Sequence, residues 1–314
     1  MSGCNAQRVL RRSALLVALS LWCAPSAWAQ RTHVLVAAGL SGDPAFKARF
    51  STAVAAVRSV AATRWGVPDS NLVVLTEDST TYNGRSTKEN IGAAFVALSK
   101  RAQPGDVVLV LLMGHGSGEG ASSKVNLPGP DATASEYAAW IAPFGKQQLV
   151  FVNAATGSGD FVPVLSAPGR VVVTATRSAV EKNDAEFLQH FTRALTTDDA
   201  DVNKDGRLSV LEAFRFARTE VIKSYESSNR MLTEHAVVSD SVTAMRIAFG
   251  RTATSSDPRV AALVAERQAL ESQVAALRGR KASMDSTAYD AELEKLLLAI
   301  AEKTAAIKAA GGGR

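Results

Sequence analysis

Cysteine is nearly absent: the 314 residues hold only Cys4 and Cys23. Both fall in an opening stretch where Arg8, Arg11 and Arg12 precede the apolar run SALLVALSLWCA, which leads into APSAWAQ. That run is too short to span a bilayer as a helix. Ala27 and Ala29 supply the small residues of an A-x-A cleavage site, so residues 1–29 read as a secretory signal peptide cut after Ala29. The expected location is periplasmic or secreted. What remains after such a cut has no disulfide, no thiolate and no cysteine metal ligand.

Other absences narrow the function further. Aromatic residues make up 6 % of the chain, and no Lys/Arg stripe is interleaved with them. The formal charge of +5 falls to +2 once the three leader arginines are removed. This composition predicts no nucleic-acid partner. No apolar run after the leader is long enough to cross a membrane. Of the four histidines, His33, His190 and His235 form no zinc-ligand spacing and are expected at the surface or as caps.

What is present is an alternation of short apolar runs with longer helical stretches. HVLVAAGL (33–40), NLVVLT (71–76), DVVLVLLMG (106–114), QLVFVN (148–153) and RVVVTAT (170–176) are nearly continuous and rich in β-branched residues. Such runs suit strands buried on both faces of a parallel sheet. Helical patterns lie between them at 45–65, 88–101 and 134–141, with Val54, Val57 and Ala61 on one face of the first. The predicted class is α/β, an open, mostly parallel sheet flanked by helices, filling residues 30–250. A linker over 251–257 precedes a C-terminal antiparallel helical hairpin over 258–310. Its apolar residues, Val260, Leu263, Leu270, Val274 and Leu277, then Leu293, Leu296, Ile300 and Ile307, keep heptad-like spacing interrupted by Arg267. Self-association through this hairpin is one expectation, which would appear as a change in molar mass when the chain is cut before Pro258.

Two of the buried runs end in glycine-rich loops, MGHGSGEG and VNAATGSGDF. On such sheets ligands sit beyond the carboxyl ends of the strands. With STKENIGAAFVALSKRAQPGDVVLV before the first loop and VVVTATRSAVEKNDAEF after the second, the stretch from Thr32 to Ala217 resembles the caspase-like and legumain-like cysteine peptidases. In those enzymes a thiolate attacks the peptide carbonyl, a histidine handles protons and backbone N–H groups hold the oxyanion. The resemblance implies that His115 takes the histidine position and that Gly116 supplies an oxyanion N–H. Asn153-Ala154 then stands where an acidic residue and Ala precede the nucleophile, and the nucleophile position is Ala155. A methyl group cannot attack a carbonyl. Gly157-Ser158 occupies the Ser-Gly region with its order changed. Arg177, Ser178 and Glu181 follow the next strand and are candidates to line a specificity pocket.

A second signal lies further on. DVNKDGRLSVLE, residues 201–212, matches the twelve-residue EF-hand calcium loop. Asp201, Asn203 and Asp205 offer side-chain oxygens at positions 1, 3 and 5. Gly206 permits the turn, Arg207 offers its carbonyl at 7, Ser209 ligates at 9 directly or through water, and Glu212 is bidentate at 12. The expected cofactor is Ca²⁺ in a structural role. Three readings stay open at this point. One is an inactive peptidase-fold protein that binds peptide or protein. Another is a residual hydrolase using His115 with Thr156 or Ser158. The last is a structural or oligomerising protein with a vestigial cleft.

Overall fold

The computed structural model describes residues 30–78, 82–203, 206–249 and 258–310. The leader with Cys4, Cys23 and the cut after Ala29, the loop residue Asp205, the linker 251–257 and the closing Gly-Gly-Gly-Arg lie outside the described residues. The first half runs β1 (Thr32–Ala38), α1 (Pro44–Thr63), β2 (Leu72–Thr76), β3 (Gly84–Arg85), α2 (Lys88–Arg101), β4 (Val107–Met113), β5 (Gly116–Ser117), β6 (Lys124–Val125), β7 (Ala132–Thr133) and α3 (Ala134–Ile141). Then follow β8 (Gln148–Asn153), α4 (Phe161–Leu165), β9 (Arg170–Thr174), α5 (Phe187–Thr196), β10 (Leu208–Ser209) and α6 (Val210–Ser227). The chain closes with β11 (Val237–Val238), α7 (Ser241–Arg246), β12 (Ala248–Phe249), α8 (Pro258–Gly279) and α9 (Ser286–Ala309).

Seven strands form one sheet in the order β11-β9-β8-β4-β1-β2-β3. Every pairing in it is parallel except that of β11 with β9. This is the expected open, mostly parallel sheet flanked by helices. Helix starts follow their local chemistry. Asp43 accepts hydrogen bonds from the Ala45 and Phe46 amides ahead of α1, with Pro44 in its first turn. Thr133 and Glu136 form a capping box on α3.

Side-chain alternation assigns each strand residue to one of two layers. Val34, Val36, Leu109, Leu111, Met113, Val150 and Val152 pack with α1, α5 and α6. Leu35, Ala37, Val108, Val110, Leu112, Leu149 and Phe151 pack with α2, α3 and α4. At the opposite edge from the loops, His33 is not a surface residue as expected. It is 2 % exposed, and its Nε2 lies 3.0 Å from Asp106 Oδ2. Asp106 also accepts from the Arg31 and Gln103 amides, pinning β1 to β4 where both begin.

The stretch after α6 carries three short elements. β11 adds an antiparallel edge to β9, Asp240 caps α7, and β12 pairs with β10 through Leu208 and Phe249. Phe249 in turn stacks on Trp65 at 4.9 Å. The helical pair at the end is antiparallel. Val260 and Val264 meet Ile307, while Val274 and Leu277 meet Tyr289 and Leu296. Arg267 sits buried between these clusters with its Nε 3.3 Å from Glu271. Among the described residues no helix is long and apolar enough to cross a membrane.

Candidate functional site

β4 and β8 lie side by side in register, Val107 opposite Gln148 through Leu112 opposite Asn153. Their loops therefore leave the sheet together. The alternation seen in the strands carries into both loops. Ala154 continues the layer of Val150 and Val152. Ala155 is fully buried in the opposite layer, with Phe151 and Phe161. Thr156 returns to the first side, where it lines a cleft of about 280 Å³ together with His115 and Ala154. The structure thus brings His115 and Thr156 together and turns Ala155 away from them.

His115 is held in one orientation. Its Nε2 lies 3.1 Å from the Ser41 carbonyl. A carbonyl only accepts, so this contact places the proton on Nε2 and leaves the lone pair on Nδ1. Ser41 is itself tied down, its hydroxyl and amide both donating to Glu77. Phe46 of α1 meets the imidazole edge-on, with ring centres 4.4 Å apart. The imidazole is thus fixed in orientation by the Ser41 carbonyl and the Phe46 ring.

Gly116 explains the His-Gly pair physically. A Cβ there would stand 2.2 Å from the Thr156 carbonyl oxygen, so the two loops approach only because the residue has no side chain. The Gly116 amide, assigned by resemblance to an oxyanion, donates to Thr156 Oγ1 at 3.2 Å. Ser158 is spent elsewhere. It is 1 % exposed, its hydroxyl 3.2 Å from that of Thr176, and it also accepts from the Thr176 amide. Asp160 ties the loops on that side, accepting from the amides of Gly120 and Ala179.

Sequence reasoning missed the cleft's far wall. It comes from Phe46, Arg49 and Phe50 on α1, and from Asp184, Leu188 and Thr192 in and before α5. Phe46 and Phe50, and likewise Leu188 and Thr192, lie four residues apart on one helical face, a spacing legible in sequence. That the two helices meet over His115 was not. Of the expected specificity residues, Arg177 is exposed, and Glu181 binds the amide and Nδ1 of His235. The residues expected to hold calcium run from the loop after α5 into the first turn of α6. There Asp201 accepts from the Gly206 amide, and Glu212 accepts from the Asn203 amide and caps α6 with Ser209. Ser209 lies in β10; Arg207 precedes it. Among the described residues no group of three or more His, Cys, Asp or Glu side chains is gathered to hold a metal, and Asp205 lies outside them.

The α5 wall depends on Glu234, which is 3 % exposed and accepts from the Glu186 and Phe187 amides at the helix start. Burial pushes its carboxyl up to about 7. Neutral Glu234 is therefore favoured in the folded protein, and stability is lost as pH rises through 7. Glu234→Gln is expected to flatten the decline in melting temperature between pH 5 and 8, removing on the order of 2 kcal/mol of pH dependence. An unchanged slope in the variant would assign the dependence to another group.

Compared with models of known protein families the chain matches none, and no curated protein matches it. Among solved structures it is similar to protein GSU0716 from Geobacter sulfurreducens, with a TM-score of 0.40 and 10 % identity over 60 % of this chain and 89 % of that one. It is similar also to the Drosophila initiator caspase Dronc, again at a TM-score of 0.40 and 10 % identity, over 66 % of this chain and 78 % of that one. At this level of likeness neither structure says anything about the chemistry of this chain.

Proposed function

We propose that this chain is an exported, catalytically inactive protein of the caspase-like peptidase fold that binds a peptide or protein segment in the His115 cleft. The observation that carries the reading is a retained and oriented histidine beside a loop with no thiol, whose nucleophile position, Ala155, is buried in the opposite layer. The sheet order and the pairing of the His-Gly loop with the loop after β8 support the resemblance already seen in the sequence. Export rests on the leader alone.

A second reading has one observation in its favour. Thr156 shares the cleft with His115, as a hydroxyl nucleophile and its base would. Against it, the Thr156 hydroxyl already accepts the Gly116 amide, the donor that an oxyanion would need. Ser158 is engaged by Thr176 and does not enter the chemistry.

The two readings separate in a digest of a diverse peptide library followed by mass spectrometry. Wild type is expected to leave every peptide intact. Ala155→Cys is expected to stay silent as well, because its thiol would enter the α2–α4 layer. Cleavage by wild type that vanishes in His115→Ala would establish the Thr156 reading instead.

We also propose a structural calcium ion in the 201–212 loop. Support comes from the ligand spacing, from the positive φ of 76° at Gly206, and from Glu212 reaching back to Asn203 across the loop. Asp201, Asn203, Asp205 and Glu212 would hold the ion through side chains, Arg207 through its carbonyl, and Ser209 directly or through water. Bound there, the ion would fasten α5 to α6. Saturating calcium is expected to raise the melting temperature by several degrees, equivalent to about 2 kcal/mol. Glu212→Gln should abolish the rise without lowering stability in chelator, since Gln also serves in a capping box. A calcium response that survives Glu212→Gln would remove this site from consideration.

A further inference from the structure

We infer that the His115 cleft takes an uncharged apolar side chain of a peptide, and that the Arg49–Asp184 ion pair at its mouth sets this choice. The inference rests on the reading that the cleft binds a ligand, and it names the ligand's chemistry.

The cleft is small and mostly apolar. At about 280 Å³ it lies near the lower end of small-molecule pockets, which run from about 300 Å³ upward. It holds one side chain rather than a whole cofactor. Phe46, Phe50 and Leu188 supply apolar walls, and Ala53 and Ala154 leave room between them. The charged residues lining it are Arg49 and Asp184.

Those two residues answer each other. Arg49 donates from both terminal nitrogens to both Asp184 oxygens, at 2.9 and 2.8 Å. The guanidinium also lies 4.5 Å from the centre of the Phe46 ring. The bidentate contact with Asp184 raises the Arg49 guanidinium further above its ordinary range. An acidic ligand must displace Asp184 to reach Arg49, and a basic ligand must displace Arg49 to reach Asp184. Arg49 and Asp184 are 38 and 45 % exposed, so either exchange gives up their bidentate contact for a new pair and brings no net gain in ion pairing. A neutral apolar group gains the walls without breaking the pair. The lone pair left on His115 Nδ1 offers an acceptor to a peptide N–H, which gives the occupant a backbone to hold as well as a side chain.

The test uses the full chain and four probes, the N-acetyl amides of Phe, Leu, Asp and Lys. Binding is followed by NMR at the Ala154 and Thr156 methyl groups. The Phe and Leu probes are expected to bind wild type roughly tenfold more tightly than the Asp and Lys probes. Asp184→Ala frees Arg49 and should raise affinity for the Asp probe by roughly tenfold; Arg49→Ala should do the same for the Lys probe. The exchanged pair, Arg49→Asp with Asp184→Arg, should restore the wild-type order and so exclude misfolding as the cause. A wild-type preference for Asp or Lys, or single variants that leave the order unchanged, would overturn this inference and leave the cleft a binding site. If no probe moves either methyl group, the binding reading falls and the inference falls with it.

Discussion

The site depends on one geometric constraint: side chains of a strand alternate between the two faces of its sheet, and neighbouring parallel strands in register share that alternation. β4 and β8 are such neighbours. Met113 and Val152 face the α1–α5–α6 layer, and the parity persists into the loops that follow. His115 and Thr156 consequently look into one cleft, whereas Ala155 belongs to the other layer. Two features follow from this arrangement: the packing of α1 against the imidazole and the closeness of the two loops.

The loops are then locked by small, specific contacts. Gly116 permits a backbone approach that any side chain would block, and its amide engages the Thr156 hydroxyl. Gly159 is under the same restriction, since a Cβ there would stand 2.1 Å from the Arg177 carbonyl carbon. Ser158 and Asp160 satisfy neighbouring loop groups and do not line the cleft. Such a cleft holds an oriented imidazole beside a hydroxyl, that of Thr156, which is already engaged by the Gly116 amide. The cleft thus combines a defined shape, an oriented imidazole and a balanced charge pair, which are the features the proposed recognition would use.

Much of the fold was legible in the sequence. The five long strands appear as near-continuous apolar runs because both of their faces are covered. The helices appear through period and caps. The two-residue strands β3, β5, β6, β7 and β10–β12 were not read, since two residues carry no period and their pairing is decided by distant chain. His33 was misplaced for a related reason: its partner Asp106 lies 73 residues away. At the site, His115 and the loop after β8 were found from pattern, and the parity separating Ala155 from Thr156 can be counted along QLVFVNAAT. The α1–α5 wall, with Arg49 and Asp184, could not be found that way. It arises where two helices distant in sequence converge on one face of the sheet.

The central claim, an oriented histidine with no nucleophile to serve, is tested most directly by covalent labelling. The purified chain without residues 1–29, which hold both cysteines, would be exposed to a panel of hydroxyl-directed electrophiles and weighed intact, with His115→Ala in parallel. The account predicts a single unmodified mass for both proteins. A stoichiometric adduct on Thr156 that disappears in His115→Ala would contradict it, and would make the cleft an active site.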